Sequence, residues 1–137
     1  MRDLHHDVLY TLAEPPQAAV TNNTPFVSTI LDTANFAINE FVLLIGSLSD
    51  ADATFVVLME DGDESNLSDN AAVVDSQLIG TEALATPLFS DDDSTKKLGY
   101  RGAKRYIRVT ITPSANTGDI YFAATWAQAG ARKAPQA

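Results

Sequence analysis

Chemistry needs side chains of matched type, and this chain offers few. His5 and His6 are its two histidines. As immediate neighbours they cannot share one face of a strand or a helix, so they are expected at the surface with no metal role. Cysteine is absent, which removes thiol catalysis, zinc–thiolate sites and iron–sulfur clusters. Asp61, Asp63 and Ser65 have the spacing that opens a calcium loop. The pattern then fails at Asn66, where glycine is required, and at Ala72, where a bidentate glutamate is required. No GxSxG, P-loop, GxGxxG or HExxH sequence occurs. Carboxylate pairs for glycoside hydrolysis can be drawn from the seventeen acids before residue 96, but these crowd into loops where solvation accounts for them better. Tyr100, Tyr106, Tyr121 and Trp126 are candidates for stacking on a sugar, yet Trp126 alternates in phase with Phe122 and Ile120, as a core residue does. The expectation is no catalytic residues, no cofactor and no metal.

The elements around these residues read as strands. In 104–111, Arg105, Ile107, Val109 and Ile111 alternate with Lys104, Tyr106, Arg108 and Thr110; in 120–127, Ile120, Phe122, Ala124 and Trp126 alternate with Tyr121, Ala123, Thr125 and Ala127. Both runs have period two. Pro113, Asn116, Thr117 and Gly118 supply turn chemistry between them, so the two runs are expected to pair as one long hairpin at the centre of a sheet. Further strands are expected at 26–31, 36–48 and 53–60, forming a meander. The middle of the second, FVLLIG, is apolar on both faces, as in a strand packed on one side and covered by the N-terminal arm or another subunit on the other. Residues 61–80 read as a long acidic connection. The fold class is therefore all-β, with about seven or eight strands in a two-sheet antiparallel sandwich of jelly-roll or Greek-key type.

Around a domain at 26–129, the ends look different. Residues 1–25 read as an arm: Leu4, Val8, Leu9 and Leu12 suit one amphipathic turn, and Pro15-Pro16 stops it. Residues 130–137 read as a tail of small residues with Arg132 and Lys133. Both ends are expected to order only against a partner. The N-terminus lacks the basic n-region of a signal peptide, and no run approaches the roughly 20 apolar residues of a membrane span. No membrane is expected as a partner.

Charge divides the chain sharply. Residues 1–95 hold one base, Arg2, and seventeen acids; residues 96–137 hold eight bases and one acid, Asp119. Five of the nine bases lie between Lys96 and Arg105. A net charge of −9 makes nucleic acid a poor partner, whereas a two-signed surface suits docking to copies of itself or to an oppositely patterned protein.

The segments DESNLSDNAAVVDSQLIGTEA (63–83) and KKLGYRGAKRYIRVTITPSANTGDIYFAATWAQAGARKAP (96–135) carry a resemblance. Their IGTE loop, GYRGAKRYIR strand, TPSANTG turn, alanine-rich last strand and basic proline-containing tail are similar to small structural proteins from the head-gene region of tailed double-stranded-DNA phages. Residues 31–64 are similar in style, so the likeness runs from residue 26 onward. The members with a known role are jelly-roll cement, or decoration, proteins. The resemblance implies a virion protein, made in the host cytoplasm, on the outer surface of a head built from HK97-type major capsid protein, clamping adjacent capsomers. Partners so implied are that capsid protein and the chain itself, as a dimer or trimer. The resemblance supplies no active-site residues, and it leaves residues 1–25 uncovered. Residues suited to such contacts are Leu4, Val8, Leu9, Leu12, Arg101, Lys104, Arg105, Arg132 and Lys133. Two other roles fit the same residues: a head-completion or tail-terminator ring protein, and a glycan-binding module.

Overall fold

The structure, a computed structural model, describes residues 3–132. Its strands are β1 (Val8–Glu14), β2 (Phe26–Val27), β3 (Leu31–Asp32), β4 (Phe36–Leu48), β5 (Thr54–Gly62), β6 (Ala71–Ala72), β7 (Leu78–Ile79), β8 (Ser94–Tyr100), β9 (Tyr106–Ser114) and β10 (Ile120–Ala131), with helical turns α1 (Leu4–Asp7) and α2 (Glu82–Ala85). One sheet runs β1-β10-β4-β8-β7 and the other β2-β9-β5-β6, with β3 also on β9. Every pairing is antiparallel. The long strands β4, β5, β8, β9 and β10 alternate between the sheets, which makes the sandwich a jelly roll.

That alternation corrects two expectations. β9 and β10 do not form a hairpin; they belong to different sheets and lie across the core from each other. β4 and β5 likewise are not neighbours in a meander. Period two fixes which face of a strand is buried, and the inner faces are the expected ones: Ile107, Val109 and Ile111 of β9, and Ile120, Phe122, Ala124 and Trp126 of β10, are all buried. Two such faces can bury each other only from opposite sheets. Phe122 accordingly meets Phe26 at 4.9 Å and Phe55 at 5.5 Å, both from the other sheet. The 115–119 link that carries the chain across is pinned by Asn116, whose amide N–H donates to Asn23 Oδ1 (2.9 Å) and whose Nδ2 donates to the Asn22 carbonyl (3.1 Å).

The expected arm is also corrected. Val8–Glu14 is the edge strand of the larger sheet, paired with β10 from Val8↔Ala129 to Glu14↔Ala124. Val20 and Ile120 exchange backbone hydrogen bonds of 2.9 and 3.0 Å. Ala13 lies in the core. At the other end, Gly130 and Ala131 still belong to β10, and Arg132 N donates to the Asn35 carbonyl at 3.0 Å; the rest of the expected tail lies outside the described residues.

The acidic connection is a built turn. Leu67, at φ 54°, is a buried plug, and the Asp69 carboxylate accepts from the N–H groups of Asp63 (2.8 Å) and Glu64 (3.2 Å). Those donors, Asp63 first, hold the Asp69 carboxyl below the usual carboxylate range.

Candidate functional site

The start of β4, the end of β10, the end of β8 and the start of β9 meet at one end of the sandwich. Between the 33–37 turn and the 101–105 loop they leave a crevice of about 480 Å³. Four of its lining residues are basic, namely Arg101, Lys104, Arg105 and Arg132, and among the described residues no acid lines it. Three of these come from the basic cluster in the sequence; Arg132 arrives because β10 runs antiparallel beside β4 and ends there.

Carboxylates outside the crevice fix two of the four. Arg105 makes a bidentate pair with Asp32, Nε–Oδ1 3.0 Å and Nη2–Oδ2 2.9 Å, and its guanidinium stands over the Tyr106 ring at 5.2 Å. The hydrogen bond to Arg105 holds the Asp32 carboxyl below its ordinary range. Lys104 Nζ reaches Asp63 Oδ2 at 2.6 Å, and that contact raises the ammonium's pKa. Both pairs are exposed, so they orient side chains and add little stability. Arg101 and Arg132 are different. Neither has a carboxylate partner among the described residues; Arg101 Nε donates only to the Ser76 carbonyl, at 3.1 Å.

Tyr100 forms the crevice floor. Its hydroxyl donates to Asp61 Oδ2 at 2.7 Å and accepts from Lys104 N at 3.0 Å. Burial and then the Asp61 carboxylate push the phenol well above its ordinary range. That hydroxyl is one anchor of the 101–105 loop, beside the Arg101 N–H on the Gln77 carbonyl (2.9 Å) and the Thr33 N–H on the Arg105 carbonyl (2.8 Å). A Cβ at Gly102 would overlap the Tyr100 ring, so only glycine lets the loop pass there. Tyr100→Phe removes the proton that Asp61 accepts and the acceptor that Lys104 N uses. The expected cost is about 1–3 kcal/mol in denaturant melts, with faster amide exchange confined to 101–105. An unchanged melt would show that water replaces the hydroxyl.

The apolar candidates sit elsewhere. Register places Val8, Tyr10 and Leu12 on the outer face of the larger sheet, opposite Ala129, Ala127 and Thr125. Leu9 points inward beside Gln128 and is half-buried. Leu4 is exposed in α1 and, with Val8 and Tyr10, lines a hollow there. Lys133 lies outside the described residues. The same outer face continues over Ile38, Val42 and Leu44 of β4 to Ile79 of β7. Of the aromatic residues considered for sugar stacking, Trp126 and Tyr100 are buried and Tyr106 is half-buried under Arg105. Tyr121 alone of the four is exposed.

No protein-family model matches the chain, and none of the curated proteins matches it in sequence. Solved structures are similar to it. The CBM22-1–GH10 modules of Clostridium thermocellum xylanase 10B are similar at TM-score 0.53 and 15% identity, over 96% of this chain and 27% of that one. A chain from the capsid of Ralstonia phage GP4 is similar at TM-score 0.48 and 12% identity, over 93% of this chain and 86% of that one. A chain of infectious bursal disease virus Gx strain is similar at TM-score 0.45 and 10% identity, over 92% of this chain and 32% of that one. This chain thus spans about a quarter of the xylanase chain and about a third of the bursal virus chain. At 15% identity the first of these likenesses is one of fold alone: the chain is an antiparallel β-sandwich.

Proposed function

We propose that this chain is a structural virion protein without catalytic activity, a cement protein that binds the outside of a phage head and clamps adjacent capsomers. The observation that carries the reading is the crevice at one end of the sandwich, lined by four bases and, among the described residues, no acid. Arg101 and Arg132 have cationic capacity that no described carboxylate uses. Acidic side chains of a capsid protein would meet them as charge-assisted hydrogen bonds. The resemblance of residues 63–83 and 96–135 to phage cement proteins points the same way. Many weak copies on one shell then add up through multivalency.

Two measurements test this. Mass spectrometry of purified particles should count on the order of hundreds of copies, as shell coverage requires, whereas a ring component would give about six to twelve. Arg101→Glu with Arg132→Glu should change the melting temperature little, because neither residue pairs with a carboxylate among the described residues and Arg101 gives up one exposed hydrogen bond, to the Ser76 carbonyl. The pair should weaken binding to undecorated heads by at least about tenfold at fixed salt. Equal binding by the wild type and the double variant would remove the crevice from the contact.

A further inference from the structure

Of the four bases that line the crevice, two are already compensated. Asp63 and Asp32 pair with Lys104 and Arg105, so among the described residues the charges of Arg101 and Arg132 remain without a counter-charge. Both arginines are tied down by their backbones. Arg101 N donates to the Gln77 carbonyl (2.9 Å) and Arg132 N to the Asn35 carbonyl (3.0 Å). They follow the last residues of β8 and β10, the strands that flank the start of β4 on its two sides, each about 4.8 Å from it. Arg101 Nε is on the Ser76 carbonyl at 3.1 Å. That bond holds the guanidinium and leaves its two terminal nitrogens without an acceptor among the described residues.

Beneath these bases the floor of the crevice is polar. Asn39 lines it and is only 4% exposed. Gln128 Nε2 donates to Asn39 Oδ1 at 2.8 Å and to the Asp32 carbonyl at 3.1 Å, which turns the oxygen of the Asn39 amide toward Gln128. The nitrogen end carries two N–H groups and has one acceptor, the Phe36 carbonyl at 3.5 Å, the long limit of a hydrogen bond. Buried polar groups are nearly always satisfied, so a surplus N–H on the floor of a crevice marks the place of an acceptor atom. In the 101–105 wall, the N–H groups of Gly102 and Ala103 also have no acceptor among the described residues. What the crevice offers is N–H groups and two positive charges.

We infer that the crevice binds a small phosphate monoester, with the phosphoryl group between Arg101 and Arg132 and an oxygen of the alcohol part on Asn39 Nδ2. A phosphate monoester carries about −1.5 to −2 charges at neutral pH and three acceptor oxygens. That matches two guanidinium groups better than one carboxylate or one phosphodiester, each with a single charge. Arginine is the side chain suited to bidentate contact with phosphate. The crevice volume of about 480 Å³ lies within the roughly 300–1,000 Å³ of small-molecule sites, more than a bare phosphate fills. A nucleic-acid strand fits less well, because its phosphates are diesters and the chain's net charge of −9 repels it. The inference concerns the free chain and does not depend on the capsid reading, although both use this crevice.

Titration calorimetry of the full chain with ribose monophosphate should show saturable binding at one site. Dimethyl phosphate, a diester with one charge, should bind at least about tenfold more weakly, and inorganic phosphate several-fold more weakly. Arg101→Gln and Arg132→Gln should each weaken ribose monophosphate by at least about tenfold, with melting little changed. Lys97→Gln removes an exposed base of β8 that lies outside the crevice, and it should leave binding as it is. No saturable heat with ribose monophosphate would overturn the inference. So would binding that both arginine variants retain, or binding that Lys97→Gln weakens as much, since general attraction to bases would then account for it. Equal affinity for inorganic phosphate would mean that only the anion is recognised, and would overturn the assignment of an ester. Undecorated heads separate the two readings of the crevice. A chain that binds heads through Arg101 and Arg132 but takes no phosphate keeps the capsid contact and loses this inference; one that takes the monoester and ignores heads does the reverse.

Discussion

A chain lacking residues 1–25 is expected to melt at least about 10 °C below the full-length protein. The deleted segment contains β1, and β1 is what covers the free edge of β10. Its loss strips the ladder from Val8↔Ala129 to Glu14↔Ala124 and the two backbone bonds between Val20 and Ile120. It also orphans groups on the remaining body. Thr29 N loses the Ala13 carbonyl (2.9 Å), Thr125 Oγ1 loses the Thr11 carbonyl (2.8 Å), and buried Asn116 loses both Asn22 and Asn23. Each net hydrogen bond is worth about 1 kcal/mol, and each orphaned buried group costs about 1–3 kcal/mol. The sum reaches several kcal/mol against a total stability of about 5–15 kcal/mol. Exposing the edge of a central strand should also make the truncated chain prone to aggregate. A truncated chain that melts within a few degrees of the whole protein would return residues 1–25 to the status of an arm.

That β1 reads as an arm in the sequence has a physical origin. Leu4, Val8, Leu9 and Leu12 fit one turn of an amphipathic helix, while Val8, Tyr10 and Leu12 fit period two equally well. What decides between them is the open edge of β10, more than a hundred residues away, and no local pattern reports it. The same limit explains the hairpin. Alternation in 104–111 and 120–127 identifies the inward side chains, but a buried face does not say whether its cover is the adjacent strand's sheet or the opposite one. The site is legible in part for similar reasons. A cluster of bases between Lys96 and Arg105 is a composition signal, and it points to Arg101, Lys104 and Arg105. That Asp32 and Asp63 restrain two of the crevice bases, while no described carboxylate pairs with Arg101 or Arg132, depends on where β3 and β5 end. The two-sided apolarity of FVLLIG does mark a strand with an unsatisfied outer face.

Trp126→Ala is expected to cost about 3–5 kcal/mol, up to half or more of the protein's stability. Trp126 is fully buried (0% exposed) on β10, flanked by Thr11 of β1 and Phe41 of β4. Its ring meets that of Phe41 edge-on, with centroids 5.2 Å apart, a pairing worth roughly 0.5–1.5 kcal/mol beyond burial. Its Nε1–H donates to the Thr29 carbonyl at 3.3 Å, a long bond that contributes less than the packing. The indole thus sits where β1, β4 and the 28–30 crossing converge, and an alanine there leaves a cavity that the surroundings fill only in part. Trp126→Phe separates the contributions: it keeps most of the ring volume and loses the N–H, so it should cost about 1–2 kcal/mol. Because Trp126 is the one tryptophan in the chain, its fluorescence gives an independent check, and emission from the folded protein should be strongly blue-shifted and insensitive to aqueous quenchers. A loss below about 1 kcal/mol for Trp126→Ala, together with emission at the wavelength of solvated indole, would mean that the ring faces water. The sheet that holds β10 would then be an aromatic platform of the kind that stacks on sugars, and glycan binding would displace the structural role proposed here.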